Sequence, residues 1–441
     1  MSQRLTPEVL VYDTVTAADP QLSPDGSQVV YSLARVDREQ DRGTSQLWVC
    51  DVDGGRPRQL TWTGDRNREP RWSSDGRFIA FVSDRVQGSS ALLVLPMQAP
   101  GEAQEVTRHR QALGHLAWSL DSARIAYTTT FDPDNPDEQP PPEGRAPKVR
   151  VTRRLDYKQD NRGWLNDTRT QVFVVEVASG ERRRLTGEPH DLWYPQWSPD
   201  GQWLAARVTT DNGIYSRLAI IDAATGATRR VGPESGSVTV WSWSPGADRI
   251  LFAGDTEPTA GVDLFLYSLK EDTIRRLTTD LPCAPDAGFP TVLGPSQPVW
   301  LDESEVLFHA VRGGESGIYR FNVESLDLES MYGTSDISHA WGPLEWGGKP
   351  HEASEAFAAH SPSTFAHRAT TPTLIVQGEA DERCPIGQGE QMFVALKQAG
   401  CEVEFARYPG GAHAMLRVGP PSHRADFLQR LVGWFTEHLS G

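Results

Sequence analysis

The stretch LIVQGEADERCPI, residues 374 to 386, ends an apolar run in Gly378 and then offers Asp381. Farther along, YPGGAHAM places His413 just after a second strand-like run. An acid and then a histidine, each past a strand, could form part of an acyl-transfer centre. A serine hydroxyl is a poor nucleophile at neutral pH and needs a base. Imidazole titrates near neutrality and can take and return that proton. A carboxylate holds the imidazole in the useful tautomer and stabilises its protonated form. On α/β-hydrolase folds the chain order is serine, acid, histidine, so Asp381 and His413 would be the last two members. On pattern alone a strand-end Asp is equally a cap and a loop His equally structural. Glu379 shares the turn, but Asp381 lies farther past the strand. His423 and His438 read as surface residues of the last helix. His339 and His351 lie in loop-like segments without a nameable partner.

The elements that must position this pair are legible nearby. TPTLIVQGEAD is a short continuous apolar strand of the kind buried on both faces of a parallel sheet. GQGEQMFVALKQAG places Met392, Phe393, Leu396 and Ala399 on one helical face, with Gly400 as its stop. EVEFARYPGGAH reads as another strand and loop. RADFLQRLVGWFTEHL is an amphipathic helix with Phe427, Leu428, Leu431, Val432, Trp434, Phe435 and Leu439 apolar. Strand, helix, strand, helix is the tail of a doubly wound α/β domain, where function sits at the carboxyl ends of strands.

The first three quarters follow a different period. QLSPDGSQVVYS recurs as RWSSDGRFIAFVS, AWSLDSARIAYT, QWSPDGQWLAAR, SWSPGADRILFA and, more loosely, VWLDESEVLFHA. Each is a strand, a tight Pro/Asp/Gly turn and an alternating strand. A further strand follows, and several units close on Arg-x-Leu-Thr. This is the signature of propeller blades. Trp72, Trp118, Trp197 and Trp243 are expected between blades, since large aromatics at a structural repeat serve packing. A Pro- and Asp-rich insertion interrupts the third unit and turns basic and aromatic at Arg153, Arg154, Tyr157, Lys158, Arg162 and Trp164. It is expected to leave the propeller on one face. The division expected is a six-unit propeller over 1–330 and the C-terminal part of an α/β domain over 331–441.

The formal charge is −16, with 59 acidic against 43 basic residues, which argues against a nucleic-acid groove. Cys50, Cys283, Cys384 and Cys401 are dispersed and read as reduced thiols. No leader-like or membrane-length apolar run occurs, so a soluble, cytoplasmic protein is expected.

GTSDISHAW, the long run from SPSTFAHRATTPTLIVQGEADERCPIGQGEQMF to YPGGAH, and the closing Trp434-Phe435 helix resemble the prolyl oligopeptidase family of serine peptidases. The nearest branch is acylaminoacyl-peptidase-like, and RLDYKQDNRGWLNDTRTQVFVVEV resembles it too. The resemblance implies a β-propeller capping an α/β-hydrolase domain, with the active site in the cavity between them. It carries the acid onto Asp381 and the base onto His413. The implied substrates are short peptides, N-acylated ones among them, with no cofactor or metal. Neither nucleic acid nor membrane is an expected partner, while a homo-oligomer fits the pattern. A carboxypeptidase-type member is an alternative, with Arg153 and Arg154 holding a substrate carboxylate. A non-catalytic peptide-binding propeller with a hydrolase remnant is another. An esterase or lipase on the same fold lacks support, because a propeller repeat rarely accompanies those.

One departure stands out. The family's nucleophile sits in a Gly-x-Ser-x-Gly elbow, and none occurs in these 441 residues. GGESGI at Gly313 fails the spacing. A last blade, the glycine-rich oxyanion segment and the first hydrolase strands are missing as well. The chain runs from NVESLDLES directly into MYGTSD, so an internal segment is expected to be lacking between Ser330 and Met331. Two strands of buried parallel type do not make an independently stable α/β core.

Overall fold

The structure is a computed structural model. It describes residues 6–98, 101–140, 153, 155–159, 163–187, 189–210, 215–256, 262–279, 281, 283–285, 296–312, 315–335, 365–381, 384 and 386–439. Among these, six antiparallel sheets form the propeller part. Five have four strands, beginning with Thr16–Leu22, Asn67–Trp72, Leu113–Trp118, Leu192–Trp197 and Val238–Trp243. The sixth has five, with Val299–Trp300 and Ala284–Pro285 both pairing with Glu305–Arg312. The first strands of the first four sheets lie side by side in sequence order, as do those of the fifth and sixth.

The repeat explains itself residue by residue. Each turn serine is buried: Ser73, Ser119 and Ser244 have no exposed surface. Its hydroxyl accepts the N–H that opens the next strand: Ser73 from Phe78, Ser119 from Arg124 and Ser198 from Trp203, each at 3.0 Å, and Ser244 from Arg249 at 3.1 Å. The turn aspartate accepts a hydrogen bond from the serine hydroxyl, as Asp25 does from Ser23 at 2.6 Å. The motif tryptophans tie neighbouring sheets. Trp72 donates its indole N–H to the Gln21 carbonyl at 3.2 Å, Trp118 to Arg71 at 3.0 Å and Trp197 to Ala117 at 3.1 Å. Trp243 donates to Gln196 and Trp300 to Ser242, both at 3.3 Å. The first sheet carries Leu22 at this position, 59% exposed and without a donor. The closing threonines repeat as well: Thr61, Thr186 and Thr278 accept the N–H of Leu47, Val172 and Leu264 at 2.9, 3.1 and 2.9 Å.

The last strand of the sixth sheet, Leu328–Ser335, runs through the Ser330–Met331 junction. Ser330 lies opposite Tyr319 and Tyr332 opposite Ile318, so Met331 is an extra residue, a β-bulge. The pairing with Glu315–Asn322 thus runs across the junction.

Beyond it, Thr373–Gly378 and Val403–Tyr408 pair in parallel, with helices Ile386–Gln398, Met415–Val418 and Pro421–Leu439. Gly400 ends the first helix at φ +78°, and the Cys401 N–H returns to the Leu396 carbonyl at 3.0 Å. The expected burial of this sheet on both faces is not observed: in Thr373–Gly378 only Gly378 is buried. The apolar face of the last helix is open as well, with Val432 55%, Phe435 52% and Leu439 73% exposed. The physical reason is that a two-stranded sheet has too little area to cover them. The last helix also meets the first sheet, where the Asp41 carboxylate accepts the Ser422 N–H at 2.7 Å. No helix among the described residues is long and apolar enough to cross a membrane.

Candidate active site

Parallel pairing sets Gly378 opposite Tyr408, so both strands end at the same edge. The chain then closes tightly. A Cβ on Gly378 would stand 2.1 Å from the Gly411 carbonyl oxygen, which excludes any side chain. Ala380 donates its N–H to that same oxygen at 2.9 Å, and Glu379 donates to Tyr408 at 3.0 Å. Gly410 sits at φ +69°, a left-handed conformation that turns the loop back. These bonds bring Asp381 and His413 face to face: Oδ2 of Asp381 lies 3.0 Å from Nδ1 of His413. Asp381 is buried, while a third of the His413 side chain is exposed. The other carboxylate oxygen of Asp381 accepts the Cys384 N–H at 2.8 Å, which orients the acid. Glu379 instead pairs with Arg407 at 3.0 Å, away from the histidine.

Arg153 pairs with Asp167 at 2.6 Å on the insertion. Arg154 lies outside the described residues, as do His339 and His351. The sequence reading gave Cys384 no part. Its N–H fixes the acid, and its thiol joins Asp381 and His413 within one small cluster. The spacing of three residues after the acid, on a tight turn, is the signal that could have found it.

A cleft of about 420 Å³ opens between the first sheet and the last two helices. Leu10, Val11, Arg35, Arg66, Arg417 and Arg424 are among its lining residues, and no Asp or Glu lines it. Of these, Arg66 donates its backbone N–H to the Asp84 carboxylate at 2.8 Å.

Residues 321–441 match the model of the prolyl oligopeptidase family, Peptidase S9. Over most of its length the chain is similar to an uncharacterized peptidase, YuxL, of Bacillus subtilis. Identity is 29% over 646 aligned positions, covering 96% of this chain and 98% of that one. The C-terminal part of the chain thus resembles the prolyl oligopeptidase family. The family match and the peptidase relatives support a serine peptidase, though this chain of 441 residues carries no nucleophile elbow. At least 205 of the aligned positions (646 less 441) have no residue here, in keeping with an internal gap. A dipeptidyl-peptidase 5 of Porphyromonas endodontalis is 29% identical over 247 residues, which cover 52% of this chain and 35% of that one. The chain thus spans about a third of that relative's length. The fold is that of acylaminoacyl peptidases, a propeller plus an α/β-hydrolase domain. The Pyrococcus horikoshii enzyme superposes with a TM-score of 0.69 at 12% identity, covering 99% of this chain and 97% of that one.

Proposed function

We propose that this chain derives from a cytoplasmic serine oligopeptidase, acylaminoacyl-peptidase-like, that hydrolyses short peptides between propeller and hydrolase parts divided near residue 330. Asp381 is its orienting acid and His413 its general base. The observation that carries this reading is the 3.0 Å contact between Asp381 and His413 at the ends of adjacent parallel strands. In that arrangement Nδ1–H donates to the carboxylate, which leaves Nε2 to take the serine proton. A decayed binding module has no reason to keep the pair joined with its acid doubly anchored.

The cleft between the first sheet and the last helices supports a peptide path there. The helix that lines it starts at Met415, two residues past His413. Arg417 can therefore stand no farther than about 14 Å from His413 along the chain. A cleft with four arginines and no acid favours the carboxypeptidase-type alternative. It suits the free carboxylate of the residue that follows the scissile bond, on a partly apolar peptide. Arg153 and Arg154 are further candidates for that carboxylate, although Arg153 already faces Asp167.

The test is labelling by a fluorophosphonate probe. A chain with the family segment restored between Ser330 and Met331 should label at one serine, and the 441-residue chain should not. In the restored chain His413→Ala should slow turnover by up to about 10⁶ and Asp381→Ala by about 10⁴. Unchanged labelling in either variant would refute the assigned roles.

A further inference from the structure

The turn that carries the acid also carries a thiol. The donor atoms of Asp381, Cys384 and His413 all lie within 4.8 Å of one another. We propose that these three side chains form a binding site for a borderline-soft divalent cation, Zn²⁺ foremost, and that an ion held there takes His413 out of use as a base.

The donor set decides the class of ion. A thiolate, an imidazole and a carboxylate suit Zn²⁺ and Co²⁺, whereas Mg²⁺ and Ca²⁺ prefer oxygen donors alone. The distances fit as well. Bonds of about 2.0–2.3 Å in a tetrahedron set neighbouring donors about 3.3–3.7 Å apart. Asp381 and His413 already stand at 3.0 Å. The thiol has to close by no more than about 1.5 Å, which a side-chain rotation covers.

The surroundings are built to hold the donors. The Cys384 N–H on Oδ1 at 2.8 Å leaves Oδ2 aimed at His413. Gln377 anchors the turn by donating its side-chain amide to the Cys384 carbonyl at 2.6 Å. Such outer contacts orient metal ligands. Asp381 is buried while the thiol and imidazole reach the surface, which gives an entry path and room for a fourth ligand.

Charge balances: the thiol loses one proton to solvent, the carboxylate is already ionised and the imidazole binds neutral, so the filled site carries no net charge. Affinity therefore rises with pH. Among the described residues no other cysteine joins a group of three donors, and Cys283 and Cys401 are buried.

The binding claim stands without catalysis, whereas its inhibitory consequence rests on the peptidase reading. Titrating the metal-free 441-residue chain with Co²⁺ should show one equivalent bound, with a near-ultraviolet thiolate-to-cobalt band that Zn²⁺ abolishes. Cys384→Ser should remove the band and weaken Zn²⁺ binding at least about tenfold, with an unchanged far-ultraviolet spectrum. His413→Gln should weaken binding likewise, and Cys50→Ser should not. Absence of stoichiometric binding, or a full band in Cys384→Ser, overturns the site. In the chain with the segment restored, Zn²⁺ should block fluorophosphonate labelling and a chelator should restore it. Labelling indifferent to bound Zn²⁺ overturns the inhibitory half. A restored chain that never labels fails the peptidase reading, and the inhibitory half with it, while the cobalt result still decides the site.

Discussion

The tryptophan ladder allows a prediction worked from individual contacts. Trp197 is 9% exposed and packs with Ala126, Val172, Leu192 and Leu204. It makes two directed contacts, its N–H to the Ala117 carbonyl at 3.1 Å and its ring face under the Arg124 guanidinium at 4.6 Å. Trp197→Phe keeps an aromatic ring but removes the donor, at about 1 kcal/mol for a neutral hydrogen bond. The smaller ring forfeits one to two methylene equivalents of burial, at about 0.8 kcal/mol each. A weakened cation–π contact adds about 0.5 kcal/mol. The expected loss is about 2–3.5 kcal/mol, and Trp197→Ala should cost about 3–5 kcal/mol. Leu22→Trp is the control, because Leu22 is exposed and ties no sheet; it should stay within about 0.5 kcal/mol of neutral. Urea unfolding followed by far-ultraviolet circular dichroism reads the difference as a shifted midpoint at unchanged slope. If Trp197→Phe moves the midpoint no more than Leu22→Trp, the tryptophans are not what couples the sheets.

Other outcomes follow from the same contacts. Burial pushes the His115 imidazole down to about 4, with Arg68 and Arg207 adding and Glu69 opposing. Its lowered value means that acid favours the unfolded chain. Stability should be full above about pH 6.5 and fall by up to about 3 kcal/mol toward pH 4. Urea midpoints across that range, flatter in His115→Gln, check it. Amides of Thr373–Gly378 should exchange with deuterium faster than those of Arg124–Phe131, since the first strand has one neighbour and the second two. Val432→Ser with Phe435→Ser should leave the unfolding midpoint within about 0.5 kcal/mol of the parent and lower binding of a hydrophobic dye, because both side chains are exposed.

Much was legible in the sequence because it rests on local chemistry. Ser-x-Asp-Gly favours a turn, and its three copies, with three looser ones, announced the propeller strands. The apolar run ending at Gly378 and the glycines before His413 announced strand ends. Those readings needed only neighbours along the chain. The partnership of Asp381 with His413 rather than Glu379 was decided by parallel register and by Gly378 lying against Gly411, a contact between residues far apart in sequence. The role of Cys384 was settled the same way, since one backbone N–H reaching Oδ1 has no signature in composition. Burial of Thr373–Gly378 on both faces was read from its apolarity and was not found, because apolar side chains are covered only when enough structure stands beside them. The missing elbow was a fact of the sequence alone, while the continuous strand through Ser330 and Met331 was tertiary, because only backbone pairing shows what the chain does at that junction.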